Sequence, residues 1–185
     1  MTRDGLFKAI VNSKEIGNTL VQRFGGFRTL SFSDGSIPHA TIPVLQLRSS
    51  GYDRNFLQAA FSCDGGVSLY PAFRRGKNER KTFRLIRTIF LACNHKQLRT
   101  DYLTLLRWNG IRAREVPCDR KIKIETERDI RLFQERIGFV KGVTATLHSK
   151  FWFDYEKQSI LNLMIESYRQ PAIVYQLPQF QEVMR

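Results

Sequence analysis

Cysteine, histidine and acidic residues are scarce in this chain, and each shortage removes a class of protein. The three cysteines, Cys63, Cys93 and Cys118, are odd in number and widely spaced, with no C-x-x-C pair. Disulfide frameworks and zinc sites need closer or paired spacing, so reduced thiols are expected. His39, His95 and His148 stand alone and read as surface or capping residues rather than ligands or general bases. G-x-S-x-G, H-E-x-x-H and G-x-x-x-x-G-K-[ST] do not occur, which leaves triad hydrolases, zincins and P-loop NTPases without local support. The longest uncharged apolar run, Thr88 to Cys93, falls far short of the roughly 20 residues that span a bilayer. The opening MTRDGLFKAIV holds no apolar segment of signal-peptide length. The expectation is an intracellular protein without a membrane partner.

What the sequence does have is core-forming residues and positive charge. Of 185 residues, 42% are hydrophobic and 12% aromatic, enough for a sizeable core and against disorder. Against 17 acidic residues stand 30 Lys and Arg, a formal net charge of +13. Such a surplus repels itself unless it meets a polyanion, and nucleic acid is the commonest one.

Along the chain, residues 6 to 11 read as a strand, and Ser13 caps a helix that stops at Gly25-Gly26. The Ser-, Thr-, Gly- and Pro-rich text from Phe27 to Ser50 reads as a connector. A helix capped by Asp53 then carries Phe56, Leu57, Ala60 and Phe61 on one side and ends at Asp64-Gly65-Gly66. VSLYPAF alternates as a half-buried strand and, across a basic loop, pairs with a second strand from about Phe83 to Leu91. A helix from His95 to Trp108 stops at Asn109-Gly110. IRAREV and KIKIE read as two short strands, Thr126 caps the helix ERDIRLFQERI, and a last helix runs from about Asp154 to Tyr168. The order is helix, two strands, helix, two strands, helix, helix: an α+β unit with an antiparallel sheet covered by helices on one face. Residues 8 to 25 lie on 121 to 138 as a partial repeat, with Lys8 on Lys121, Arg23 on Arg136 and Gly25 on Gly138. Two unrelated capped strand-helix units are the alternative; the repeat reading divides the chain into a strand-helix remnant of a first repeat plus connector (1–50), a whole repeat (51–170) and a C-terminal tail (171–185).

Asp64 carries the chemistry. A carboxylate is the natural hard ligand for Mg²⁺, and the C-terminal end of a helix has a field that favours a cation. Asp-Gly is also a common way to end a helix and begin a turn, and the local sequence alone leaves both readings open.

The nonamer Leu57-Gln58-Ala59-Ala60-Phe61-Ser62-Cys63-Asp64-Gly65 resembles the signature of the LAGLIDADG homing endonucleases, with its terminal Asp-Gly intact. IPVLQL ahead of it, the hairpin after it, the helix ending LLRWNGI and the strand pair followed by a helix ending ERIGF resemble that family's αββαββα repeat in order and spacing, from about Ile42 to Ser167. The resemblance implies a site-specific double-strand DNA endonuclease, intron-encoded or intein-related, that hydrolyses phosphodiesters with Mg²⁺ or Mn²⁺. It implies that Asp64 is the metal ligand and catalytic acid residue and that Lys141 acts beside the metal, with Lys121 and Lys123 as alternatives. Ser62 stands where the family's motif has its first acid. One motif supplies one acid, so a homodimer mate or a chain bearing the other motif must supply the second. Leu57, Ala59, Ala60 and Phe61 are the expected contact surface.

The family's DNA-binding concave face is the uncovered face of the sheet. Period-two alternation assigns to it Ser68, Tyr70 and Arg74 on the first strand, Arg112 and Arg114 on the third, and Lys121 and Lys123 on the fourth. The loop adds Arg75, Lys77, Arg80 and Lys81, and on the second strand Arg84 and Arg87 have opposite parity. A cytoplasmic, nucleoid-associated or organellar location follows from a DNA substrate. The competing reading keeps the fold for DNA or intron-RNA binding, as a maturase or regulator, without cleavage.

Overall fold

The alternation after Gly65 builds one long antiparallel hairpin in the computed structural model, β1 (Gly65–Arg75, 11 residues) against β2 (Lys81–Ala92, 12 residues). Its register runs unbroken from Gly65 opposite Leu91 to Arg75 opposite Lys81. Among the described residues two shorter strands, β3 (Arg114–Val116) and β4 (Lys121–Ile124), extend this into a four-stranded antiparallel sheet in the order β1-β2-β4-β3. The structure describes residues 15, 19, 22, 40–75, 81–147 and 149–181, leaving aside the side chains of 73–75 and 81–83. The chain divides into two units, Met1–Ile42 and Pro43–Arg185.

In the first unit Glu15, Thr19 and Gln22 are helical, within the helix expected after Ser13. The strand expected at 6 to 11 and most of the repeat comparison lie outside the described residues, as do His39 and His148.

The second unit carries seven α-helices among its described residues: α1 (Val44–Ser50), α2 (Asp53–Asp64), α3 (Lys96–Trp108), α4 (Glu127–Arg136), α5 (Lys157–Glu166), α6 (Ala172–Tyr175) and α7 (Pro178–Gln181). None is long and apolar enough to cross a membrane. The fold is therefore α+β, with α2, α3 and α5 packed against the sheet. Leu69, Ile89, Leu91, Ile122 and Ile124 face these helices and are at most 1% exposed, because strict alternation sends every second residue to the same side. Phe61 meets Phe133 edge to face at 4.9 Å between centroids, and Leu105, Leu106, Ile130, Ile160, Leu161 and Met164 close the core. Phe133→Ala in such surroundings costs about 3–5 kcal/mol.

Helix ends follow the sequence where a cap is present. Thr126 accepts from the Asp129 amide at 3.2 Å, and His95 Nδ1 accepts from the Leu98 amide at 3.4 Å, so His95 is a capping residue. Elsewhere the structure departs from expectation. Val44–Ser50, read as connector, is a helix, because a proline just before the first turn loses no helical hydrogen bond. Asp53 is the first residue of α2 rather than its cap: it is 3% exposed and accepts from Asn109 Nδ2 at 2.9 Å and Arg48 Nη1 at 3.1 Å. The third strand is reduced to Arg114–Val116, since the Arg112 amide donates to Asp129 Oδ1 (3.1 Å) and Pro117 opens a 3₁₀ turn. α5 begins at Lys157 and not near Asp154, whose φ of 64° breaks helical continuity. Residues read as a C-terminal tail form α6 and α7 and bury Val174 and Phe180 completely.

Candidate active site and nucleic-acid interface

The site begins where α2 stops. Its last carbonyls lack helical partners, and Lys157, the first residue of α5, supplies them: Nζ donates to Ser62 O at 2.7 Å and to Gly65 O at 2.8 Å. The lysine is 5% exposed. Burial pushes its pKa down, and the nearby Cys63 and Asp64 partly offset that. The chain then passes through two glycines for lack of room. A Cβ on Gly65 would lie 2.5 Å from Phe61 O and 2.8 Å from Phe90 O, and one on Gly66 would lie 2.7 Å from the Phe90 ring. Phe90 thus lies across Gly66, two residues after Asp64 in the chain.

Asp64 itself is exposed and takes part in no ion pair among the described residues. It opens onto a cleft of about 850 Å³ between the sheet and residues 145, 146 and 149–152, lined by Cys63, Ser68, Tyr70, Lys121, Lys150 and Lys157 among others. Burial raises the pKa of Tyr102 to about 12, with Cys93, Asp64 and Cys63 adding to it. An exposed carboxylate at the negative end of a helix suits a hard divalent cation. Among the described residues no group of three or more His, Cys, Asp or Glu comes together. Asp64 is the one carboxylate among the described residues lining this cleft, so it offers a divalent cation a single hard donor.

Ser62 is 3% exposed and its hydroxyl accepts from the Val140 amide at 2.8 Å. Gln58 Nε2 donates to Ile137 O at 2.9 Å. These two bonds fix the turn that carries Lys141. That lysine is exposed, its charge acts on Glu156, and it does not line the cleft at Asp64. Lys157 was not singled out from the sequence, although its spacing to Ile160, Leu161 and Met164 puts it on the buried side of α5. A lysine in register with an apolar face was the available signal.

The face of the sheet turned away from the helices carries four of the expected basic residues among those described, Arg84, Arg114, Lys121 and Lys123. Ser68 pairs with Thr88, Tyr70 with Ile86 and Ala72 with Arg84, while Lys123 lies opposite both Phe90 and Arg114 and Lys121 opposite Ala92. All of these share one side by alternation. Arg84 is exposed there. Arg87 turns to the helices instead: it donates to Ser167 O and Oγ at 2.7 and 2.8 Å and lies 4.4 Å over the Tyr168 ring. Arg114 is paired with Glu125, whose carboxyl it holds below the usual range, and Lys123 bonds Asp119 at 2.9 Å. Lys121 lies 4.9 Å over the Phe90 ring. Arg112 is exposed but precedes the strand, so it is not part of the ladder. The backbones of Arg74, Arg75 and Lys81 belong to β1 and β2; their side chains, and Lys77 and Arg80 entirely, lie outside the described residues.

The expected contact surface on α2 is corrected in part. Leu57 and Phe61 are fully buried in this chain's own core, whereas Ala59 is exposed and Ala60 half-buried. The helix turns its bulky residues inward, onto the sheet and α4, and leaves small ones outside. No family model matches the chain, and no curated protein matches it.

Proposed function

We propose that the chain is one half of a site-specific, divalent-metal-dependent DNA endonuclease of the LAGLIDADG type, working with a second motif from an identical chain or a partner. The observation that carries this reading is Asp64: a solvent-facing carboxylate outside every described ion pair, at the end of a helix, beside a sheet face bearing Arg84, Arg114, Lys121 and Lys123. A strand pair with outward Arg and Lys fits the width of a DNA major groove.

In this reading Asp64 of each half holds Mg²⁺ or Mn²⁺. When bound, the metal activates water and neutralises charge on the phosphate and leaving oxygen. The chain's own residues do the rest. Lys157 fixes the end of α2 through Ser62 O and Gly65 O and so sets where the Asp64 carboxylate stands. Lys121, on the wall of the same cleft, offers a cation to the phosphate backbone. The open face positions the duplex, arginine favouring guanine edges and lysine favouring phosphate.

Cleavage of DNA from the host locus, joined without the intervening element, tests the proposal: cutting with Mg²⁺ and none with Ca²⁺ supports it. A second reading, a DNA- or intron-RNA-binding protein that does not cut, draws on Ser62, whose hydroxyl is committed to Val140 rather than to a ligand. Binding without cutting by the paired assembly would favour it.

A further inference from the structure

The cleft beside Asp64 has a composition that metal-dependent cleavage of paired DNA does not require. Three half-exposed aromatic rings border it, Tyr70 and Phe90 from the sheet and Phe151 from the segment along β1. Phe151 and Tyr70 are 5.9 Å apart between centroids at 31°. Two of the rings carry an ammonium above them: Lys121 lies 4.9 Å over Phe90 and Lys150 lies 5.1 Å over Phe151. Rings and cations therefore share one opening of about 850 Å³, within the about 300–1,000 Å³ typical of small-molecule sites.

We infer that this cleft receives an unstacked nucleobase together with its adjoining phosphate. The rings select a ligand with a flat π-face, and Lys121 and Lys150 select one with negative charge close to that face. A nucleotide has both. In a stacked duplex the base faces are hidden and only edges reach a protein, so the ligand is a base in a single strand or one displaced from its helix. Gly66 makes room for the end of the Phe90 ring, which a Cβ there would meet at 2.7 Å. The inference rests on the nucleic-acid reading of the open face and adds a second, base-accepting element to it.

The test measures fluorescence anisotropy of the full chain with three labelled probes of arbitrary sequence: a fully paired duplex, the same duplex with one bulged thymidine, and a thymidine single strand. The bulged duplex and the single strand are expected to bind about tenfold tighter than the paired one, the scale of one base stacking on an aromatic ring. Phe151→Leu should bring this preference to about threefold or less with paired-duplex affinity unchanged. Because Phe151 also touches buried Phe180, the exposed Lys150→Ala serves as a second variant and should reduce the preference in the same direction. Equal affinity for bulged and paired duplex overturns the inference and leaves the duplex reading standing. A preference that survives both substitutions also overturns it. Binding to the bulge and single strand without the paired duplex upholds the cleft and removes the duplex reading, and binding to none of the probes removes both.

Discussion

Lys157 and Gly65, 92 residues apart in sequence, are joined by a 2.8 Å hydrogen bond that ties the start of one helix to the end of another. With the bond to Ser62 O, a single buried ammonium satisfies two carbonyls at the turn carrying Asp64. Lys157→Met keeps the volume and leaves both oxygens unsatisfied, an expected cost of about 1–3 kcal/mol. Urea unfolding measures it, and an unchanged midpoint would show that water replaces the lysine.

Asp64→Asn should abolish Mg²⁺-dependent cleavage while DNA affinity stays within about tenfold, since it removes a ligand and none of the contacts of the sheet face. Cutting by this variant at the parent rate would sink the assignment of Asp64.

The two arginines of β2 should respond differently. Arg84→Ala is expected to weaken DNA binding by about 1–3 kcal/mol if it reads a base, with stability unchanged. Arg87→Ala should lower stability, because its bonds to Ser167 and its place over Tyr168 are internal, and leave the salt dependence of binding as it was. Paired binding and melting curves separate the two, and a reversed pattern would put the interface on the other face.

Alkaline pH offers a further check. Tyr102 is held protonated by burial up to about 12, against an ordinary 10.0. A raised acid binds more protons folded than unfolded, so its contribution is complete below pH 10 and is lost as pH climbs towards 12. Lys157, with its lowered pKa, acts in the opposite sense below 10.5. The difference in unfolding free energy between the parent and Tyr102→Phe isolates the tyrosine: it should shrink or reverse between pH 10 and 12, and a flat difference would count against burial as the cause.

The two glycines after Asp64 should not tolerate alanine equally. At Gly66 the obstacle is the end of the Phe90 ring, which is able to rotate away, and overpacking of this kind costs about 1–3 kcal/mol. At Gly65 the obstacles are the backbone oxygens of Phe61 and Phe90, which have nowhere to go. Gly65→Ala should therefore destabilise more than Gly66→Ala in thermal melts, and the reverse order would show that α2 shifts easily against the sheet.

The hairpin, α3, α4 and the sidedness of β4 were legible because their periodicity is strong and their ends carry recognisable chemistry: Asn109-Gly110, Thr126, the alternating Lys121 to Ile124. Asp64 was legible as the end of a helix. Choices made by distant partners were not. Arg87 turns inward because Ser167 and Tyr168 are there to receive it, and nothing near Arg87 in the sequence announces them. Lys157 serves α2 from α5, where local reading sees only a lysine among helix formers. α1 was missed because the Pro-rich text up to Ser50 reads as a connector, whereas Pro43 stands just before the helix's first turn, where a proline costs no hydrogen bond.

Among the described residues β1 has a hydrogen-bonded neighbour on one side only, and an eleven-residue strand with such a margin invites another chain to zip onto it. The indole of Trp152 donates to Leu69 O at 2.6 Å, halfway along that margin, and Phe151 stands against Tyr70 next to it. This indole acts as a stopper. It bars two molecules from continuing one another's sheets and so opposes fibril growth in concentrated solution.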